Sequence, residues 1–159
     1  MDMIHFDSYS VVRNGLEIHV DFSKLDPAFK KAQFALDSAV MNSMLPYMPL
    51  QTGNLRQRTA AESASLAGTG VVVAAVPPYG RYQYMGKVMV DSVTGQGAFY
   101  IPTVGFRFHR GAVLKATERP LTYSQPGATP MWFETAKSTH LQDWIRVVKD
   151  AIGGELNGR

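Results

Sequence analysis

The chain has 159 residues, of which 45% are hydrophobic, and this composition fits a single folded domain over residues 1–159 and excludes a disordered tail. Only 18% of the residues are charged, and the basic residues behind the net charge of +3 are scattered, which argues against a dedicated nucleic-acid-binding protein. The absence of cysteine excludes disulfides and cysteine nucleophiles, and the absence of an apolar run of 18 residues excludes a membrane-spanning helix.

Residues 1–24 have the pattern of an N-terminal strand region. From Leu16 to Phe22, apolar and polar residues alternate, as a half-buried strand requires. The preceding Asn14-Gly15 is a tight-turn signal, which makes residues 10–13 the candidate partner strand of a hairpin.

A long helix is predicted next. Asp26-Pro27 supplies an N-cap residue followed by proline at the first helical position. Apolar residues then recur every three or four positions, at Phe29, Ala32, Leu36, Val40 and Met44. Pro46 and Pro49 end the helix near Leu45, because each proline disfavours helical backbone in the residue before it.

The middle of the chain has β character apart from one short helix. Two turns of helix are predicted between Tyr79 and Met85. The predicted strands are Leu55–Ala64, Gly70–Val76, Val88–Val90, Phe99–Ile101 and Val104–Phe108.

Residues 91–99 and 109–130 have the composition of long loops. A second amphipathic helix is predicted from Phe133 to Ile152, ended by Gly153-Gly154. These elements predict an α+β fold. It contains an antiparallel sheet of about four to six strands, with the N-terminal and C-terminal helices packed on one face, plus long loops.

No catalytic, cofactor-binding or metal-binding set of residues emerges. The four histidines are far apart, and none belongs to a metal-ligand pair of the H-x-x-x-H type. The chain contains no G-x-S-x-G or Ser-x-x-Lys nucleophile motif and no glycine-rich phosphate loop. We therefore expect no cofactor and no enzymatic activity.

The aromatic residues leave several roles open. Tyr79, Arg81, Tyr82 and Tyr84 could fasten a short helix to the core, form a subunit interface or stack nucleic-acid bases. Trp132 is either a lid over the edge of the core or an interface anchor, whereas the position of Trp144 in the helix stripe predicts a core residue.

Three short segments stand in a fixed order. The first motif is Pro-Leu-Gln-Thr-Gly-Asn-Leu-Arg at residues 49–56. The second is Pro-Tyr-Gly-Arg-Tyr-Gln-Tyr-Met-Gly-Lys at residues 78–87. The third is Pro-Gly-Ala-Thr-Pro-Met-Trp-Phe at residues 126–133. Together they resemble the minor capsid and head–tail joining proteins of long-tailed double-stranded DNA bacteriophages, over residues 25–155.

This resemblance implies a structural virion protein of the phage neck, made in the host cytoplasm. It would self-associate into a ring of six or twelve copies between the portal or its adaptor and the tail. DNA would pass nearby without specific binding, and no membrane would be contacted. Gly80 departs from the family pattern, which often has alanine there and so a firmer short helix. The expected interface residues are Arg56, Arg58, Tyr79, Arg81, Tyr82 and Trp132.

The alternative function is a nucleic-acid-binding phage accessory protein that uses the Tyr/Arg cluster. It predicts an affinity for DNA that falls steeply with salt.

Overall fold

A computed structural model describes residues 9–13, 16–20, 25–50, 54–77 and 80–156, with the backbone alone for residues 9–20. The helices are α1 (Leu25–Met44), a 3₁₀ helix (Leu45–Tyr47), α2 (Asn54–Ser65), α3 (Gly80–Met85) and α4 (Trp132–Leu156). The strands are β1 (Tyr9–Arg13), β2 (Leu16–Val20), β3 (Lys87–Asp91), β4 (Phe99–Ile101), β5 (Gly105–Arg107) and β6 (Leu114–Pro120).

Helices α1 and α4 pack against each other and form most of the core. The buried cluster consists of Val40, Met41, Met44, Met48, Trp132, Ala136 and Trp144. Both long helices were predicted, as was the burial of Trp144, and these predictions are confirmed. The buried stripe on α1 begins at Ala28 rather than at Phe29, which is 42% exposed.

Residues 54–65 form helix α2, so the predicted strand at 55–64 is wrong. Thr59 and Ser63 are buried one turn apart, which is the spacing of one helix face and not of a strand. Thr59 is also the only β-branched residue among the twelve, while arginine, glutamine, alanine and glutamate favour helix. The loose alternation of the sequence concealed this period of four residues.

The apolar segment 70–76 has no regular secondary structure and pairs with no described strand, which corrects the prediction of a buried strand there. Side chains supply its hydrogen bonds instead of a neighbouring strand. The Ser63 hydroxyl accepts from the Val73 N–H at 3.0 Å and donates to the Val73 carbonyl at 3.2 Å. The Ala74 carbonyl accepts from the Trp132 indole.

The described strands form three antiparallel pairs, β1–β2, β3–β6 and β4–β5, and not one sheet of four to six strands. The α+β class is confirmed, but the two long helices cover each other rather than one sheet face. Strand β6 lies inside the predicted 109–130 loop. Its polar sequence, Leu-Lys-Ala-Thr-Glu-Arg-Pro, and mostly exposed side chains gave no apolar alternation to reveal it.

Helix α4 continues to Leu156, so Gly153-Gly154 does not end it as predicted. Glycine lowers helix propensity by about 1 kcal/mol per residue, but it keeps its N–H and does not break the hydrogen-bond ladder as proline does.

Asp37 on α1 joins α2 to the helical core. Its side chain is buried, and Oδ2 accepts hydrogen bonds from the backbone N–H groups of Gly68 at 2.8 Å and Gly70 at 3.1 Å. Gln33 donates to Oδ1 at 2.7 Å. The Asp37 carboxylate thus holds the turn that contains Gly68 and Gly70, where the chain leaves α2 and runs back beside α1.

We expect Asp37→Ala to lower the free energy of unfolding by about 2–3 kcal/mol, because two backbone donors lose their acceptor. Asp37→Asn is the matched control, since its amide oxygen still accepts, and it should lose about half as much. Urea unfolding of both variants measures the difference. Equal losses would contradict the role of the acceptor.

Candidate assembly site

The second and third motifs are in direct contact through Tyr84 and Trp132. Their rings meet edge to face, with centroids 4.8 Å apart and an interplanar angle of 90°. The backbone N–H of Met131 donates to the Tyr84 carbonyl at 2.8 Å, and the Trp132 indole N–H donates to the Ala74 carbonyl at 2.7 Å. Trp132 is fully buried. The start of helix α4 is therefore fixed by the ring contact with Tyr84, by the indole hydrogen bond to Ala74 and by the backbone hydrogen bond of Met131.

The Tyr84 hydroxyl donates a hydrogen bond to the Glu134 carboxylate in the first turn of α4. Burial raises the pKa of Tyr84, and the hydrogen bond and negative charge of Glu134 raise it further. The phenol therefore stays a protonated donor throughout the biological pH range. It links α3 to α4 on the solvent side of the aromatic pair.

Gly86 is where the second motif leaves α3 and enters β3. Its φ of +64° is in the left-handed region, and a Cβ atom there would lie 2.4 Å from Cβ of Pro130 in the third motif. The Gly86 carbonyl accepts from the Leu121 N–H at 2.8 Å, just after β6 ends. The hydroxyl of Tyr123 donates to the Gln83 carbonyl at 2.5 Å. The start of β3 and the end of β6 are thus held together at the base of the strand pair, next to α3.

The first motif reaches the second through Leu55. A Cβ atom on Gly80 would lie 3.1 Å from Leu55 Cδ1 and 3.0 Å from Ala75, so glycine permits this close approach. The departure from alanine at position 80 goes with this tight packing, because a Cβ atom there would require its neighbours to shift by a few tenths of an ångström. We call the set Leu55, Gly80, Tyr84, Gly86 and Trp132 the motif junction.

Arg56 is bound within its own chain. Its Nε donates to the Met48 carbonyl at 3.0 Å, and its guanidinium also reaches the Pro46 carbonyl at 3.4 Å. Burial lowers the pKa of this guanidinium, which remains charged. Arg56 thereby binds the backbone of the 3₁₀ helix and of the residue after it, where the chain leaves α1. These hydrogen bonds hold the first motif next to that segment.

The six residues expected at an interface have different surroundings. Arg58 and Arg81 are exposed, and Tyr82 is half-buried. Trp132 has no exposed surface, so the expectation that it contacts a neighbour is corrected: it belongs to the core. Tyr79 lies outside the described residues.

Residues 87–120 form a β arm of two strand pairs, an arrangement that the sequence did not predict. We call β3–β6 the first tier and β4–β5 the outer tier. Strands β3 and β6 pair near the motif junction, with a register shift between Lys87 and Met89, and β4–β5 is nested inside their connection. A hydrogen bond from the Ser92 N–H to the Val113 carbonyl, at 2.7 Å, extends the first tier toward the second. Strands β3, β4 and β5 were predicted, but neither their partner β6 nor the formation of an outer tier by β4 and β5 was predicted.

Asp91 turns the chain between the two tiers. Its carboxylate accepts from the Val93 N–H at 3.1 Å and the Thr94 hydroxyl at 2.9 Å. These hydrogen bonds, that of Val93 foremost, lower the pKa of Asp91. The turn at 91–95 is therefore held by an ionised carboxylate at neutral pH.

The outer tier exposes aromatic residues. Tyr100 is 61% exposed and Phe106 is 52% exposed, and their rings lie 5.2 Å apart as a directly opposed cross-strand pair. Phe99 packs against His109, with ring centroids 4.8 Å apart and the rings tilted by 34°. Alternating sequence predicts strands but does not tell which strand faces are covered, and this surface was missed for that reason.

A second apolar surface is a groove of about 480 Å³ between α1 and α4. Its lining residues are Leu36, Val40, Phe133, Lys137, Leu141, Trp144, Ile145, Val148 and Lys149. We call it the α1–α4 groove. No residue of the β arm lines it.

Within the described residues, no three His, Asp or Glu side chains lie close enough together to hold a metal ion. No described helix has the length and apolarity needed to cross a bilayer.

The described residues thus contain a packed junction of motifs, a β arm with exposed aromatic side chains and an open apolar groove. The chain matches the family model described as minor capsid protein over residues 16–152, and it belongs to that family. The resemblance carried by the three motifs is thereby confirmed, and the family assigns a structural role in the phage virion. No curated protein and no solved structure matches the chain significantly.

We expect Gly86→Ala to destabilise the fold by about 3 kcal/mol, since it combines a left-handed backbone with a clash against Pro130. Gly111→Ala is the matched control: its φ is +84°, but no atom lies within 4 Å of the added Cβ. It should cost about 1 kcal/mol. Equal losses in urea unfolding would show that the contact with Pro130 contributes nothing.

Proposed function

We propose that this minor capsid protein acts at the phage neck, where it assembles as a ring that joins head and tail. The observation that carries the proposal is the meeting of the three motifs in one junction that holds the β arm. The three motifs thus build a packed base that holds an arm with exposed aromatic side chains, as a subunit that contacts several neighbours would require.

Neighbouring virion proteins would be contacted through the outward side of the motifs. Arg58 on α2 and Arg81 on α3 are exposed cations next to the motif junction, with Tyr82 half-buried beside them. Arginine and tyrosine contribute disproportionately to protein interfaces. These three residues, rather than Arg56 and Trp132, are our candidates for contact with the portal, its adaptor or the tail.

The alternative of a nucleic-acid-binding accessory protein depends on free aromatic faces in the Tyr/Arg cluster. Among the described residues of that cluster, Tyr82 and Tyr84 are both half-buried, and the ring and hydroxyl of Tyr84 are already engaged by Trp132 and Glu134. Base stacking on successive aromatic rings is therefore disfavoured at this site.

The experiment that tests the neck role is electron microscopy of lysates from the parent phage with a null allele of this gene. We expect DNA-filled heads and separate, finished tails. Complete particles would contradict the proposal. Empty heads or missing tails would place the protein at an earlier step of assembly.

For the interface, we expect the double variant Arg58→Ala and Arg81→Ala to keep the thermal midpoint within a few degrees, since exposed charges contribute little to stability. Its incorporation into particles should fall by roughly tenfold, which is a loss of about 1.4 kcal/mol of binding. The control, Lys30→Ala with Arg146→Ala, removes the same charge from α1 and α4. Quantitative blotting of purified particles compares them. Equal incorporation of the two double variants would exclude a specific contact.

A further inference from the structure

The outer tier of the β arm carries as much exposed apolar surface as the largest apolar patches of ordinary monomers. Its exposed apolar side chains are Val93, Phe99, Tyr100, Val104, Phe106 and Val113. From their exposed fractions, they present on the order of 600 Å² together, since a large aromatic side chain offers about 150–250 Å². The largest apolar patch of a typical monomer is about 300–600 Å². One partner in a standard protein interface contributes about 800 Å².

The charge of the arm indicates a protein partner. No charged residue occurs from Ser92 to Phe106, so this segment can be buried without removing a charge from water. The nearest cations are Arg107 at the end of β5 and Arg110 beyond it, so the exposed rings themselves offer apolar rather than ionic contacts. The α1–α4 groove has a matching character: seven of its nine lining residues are apolar, and Lys137 and Lys149 remain solvent-exposed.

We propose that the tip of the β arm of one copy inserts into the α1–α4 groove of the next copy. The two surfaces differ from each other, so the contact is head to tail and repeats around an axis, as a closed ring requires. The arm of a copy does not fill its own groove, which leaves the groove open to a neighbour. This inference rests on the proposed ring and names the contact that builds it.

Paired cysteines test the contact directly, because the chain contains no native cysteine. Thr103→Cys places a thiol in the exposed turn between β4 and β5, and Lys137→Cys places one in the groove. The two variants carry different tags and are mixed under mild oxidation. Their concentrations are kept well above micromolar, because micromolar is the weakest dissociation constant expected for an interface of this size. Neither substitution removes an exposed aromatic side chain.

We expect disulfide-linked heterodimers of the two variants, roughly tenfold more abundant than either homodimer. The control mixes Thr103→Cys with Gln57→Cys, which places an exposed thiol on α2 at a residue assigned to no contact. Heterodimers no more abundant than in this control would overturn the proposal. So would a predominance of Thr103→Cys homodimers, which would indicate that two arms meet, or the absence of cross-links.

A second pair of substitutions asks whether the aromatic residues drive the contact. Tyr100→Ser with Phe106→Ser, added to Thr103→Cys, should reduce the heterodimer roughly tenfold and leave the thermal midpoint unchanged, because both rings are exposed. An undiminished cross-link would contradict the proposal. The lysate experiment with the null allele separates the two hypotheses: separate heads and tails without arm-to-groove cross-links would retain the neck role and reject this contact.

Discussion

The indole of Trp132 is fully buried and donates its N–H to the Ala74 carbonyl at 2.7 Å, and this bond decides where three parts of the chain meet. An indole N–H without a partner in a core costs about 1–3 kcal/mol. Because its partner is the Ala74 carbonyl, this bond favours packing of segment 70–76 against the start of α4. The edge of Tyr84 packs against the same ring system, which brings α3 to this point as well. The helix pair, segment 70–76 and the short helix are therefore positioned by one side chain.

The contacts at the motif junction set the orientation of the β arm. Gly86 and Leu121 are hydrogen-bonded at its base, and Pro130 leaves no space for a side chain at position 86. A two-stranded ribbon alone is marginally stable in water, because it buries little apolar surface. The arm therefore needs its fixed base to keep a defined orientation, and it needs a partner to cover the rings of its outer tier. A packed base with an uncovered tip is the expected state of an assembly element before assembly.

The sequence predicted elements whose pattern extends over several turns or has sharp ends. Helix α1 begins beside Asp26-Pro27 and stops before Pro46, and α4 has an apolar stripe of five turns. Helix α2 was mistaken for strands because its buried side chains, Thr59 and Ser63, are polar, so the face that packs inward is invisible to hydrophobic periodicity. Strand β6 was missed for the same reason. The site was predicted in part: the motifs were found, but the sequence could not tell which side of each motif faces inward.

That division between inward and outward sides explains what the three motifs do. Their inward residues, among them Leu55, Tyr84 and Trp132, pack at the motif junction and position the elements around it. Arg81 of the second motif and Arg58, two residues after the first motif, are exposed and can differ with little loss of stability. The arm lies between the second and third motifs, and both of its ends are fixed by them. A minor capsid protein built this way can change its neighbours through the arm and the outward cations while the junction stays the same.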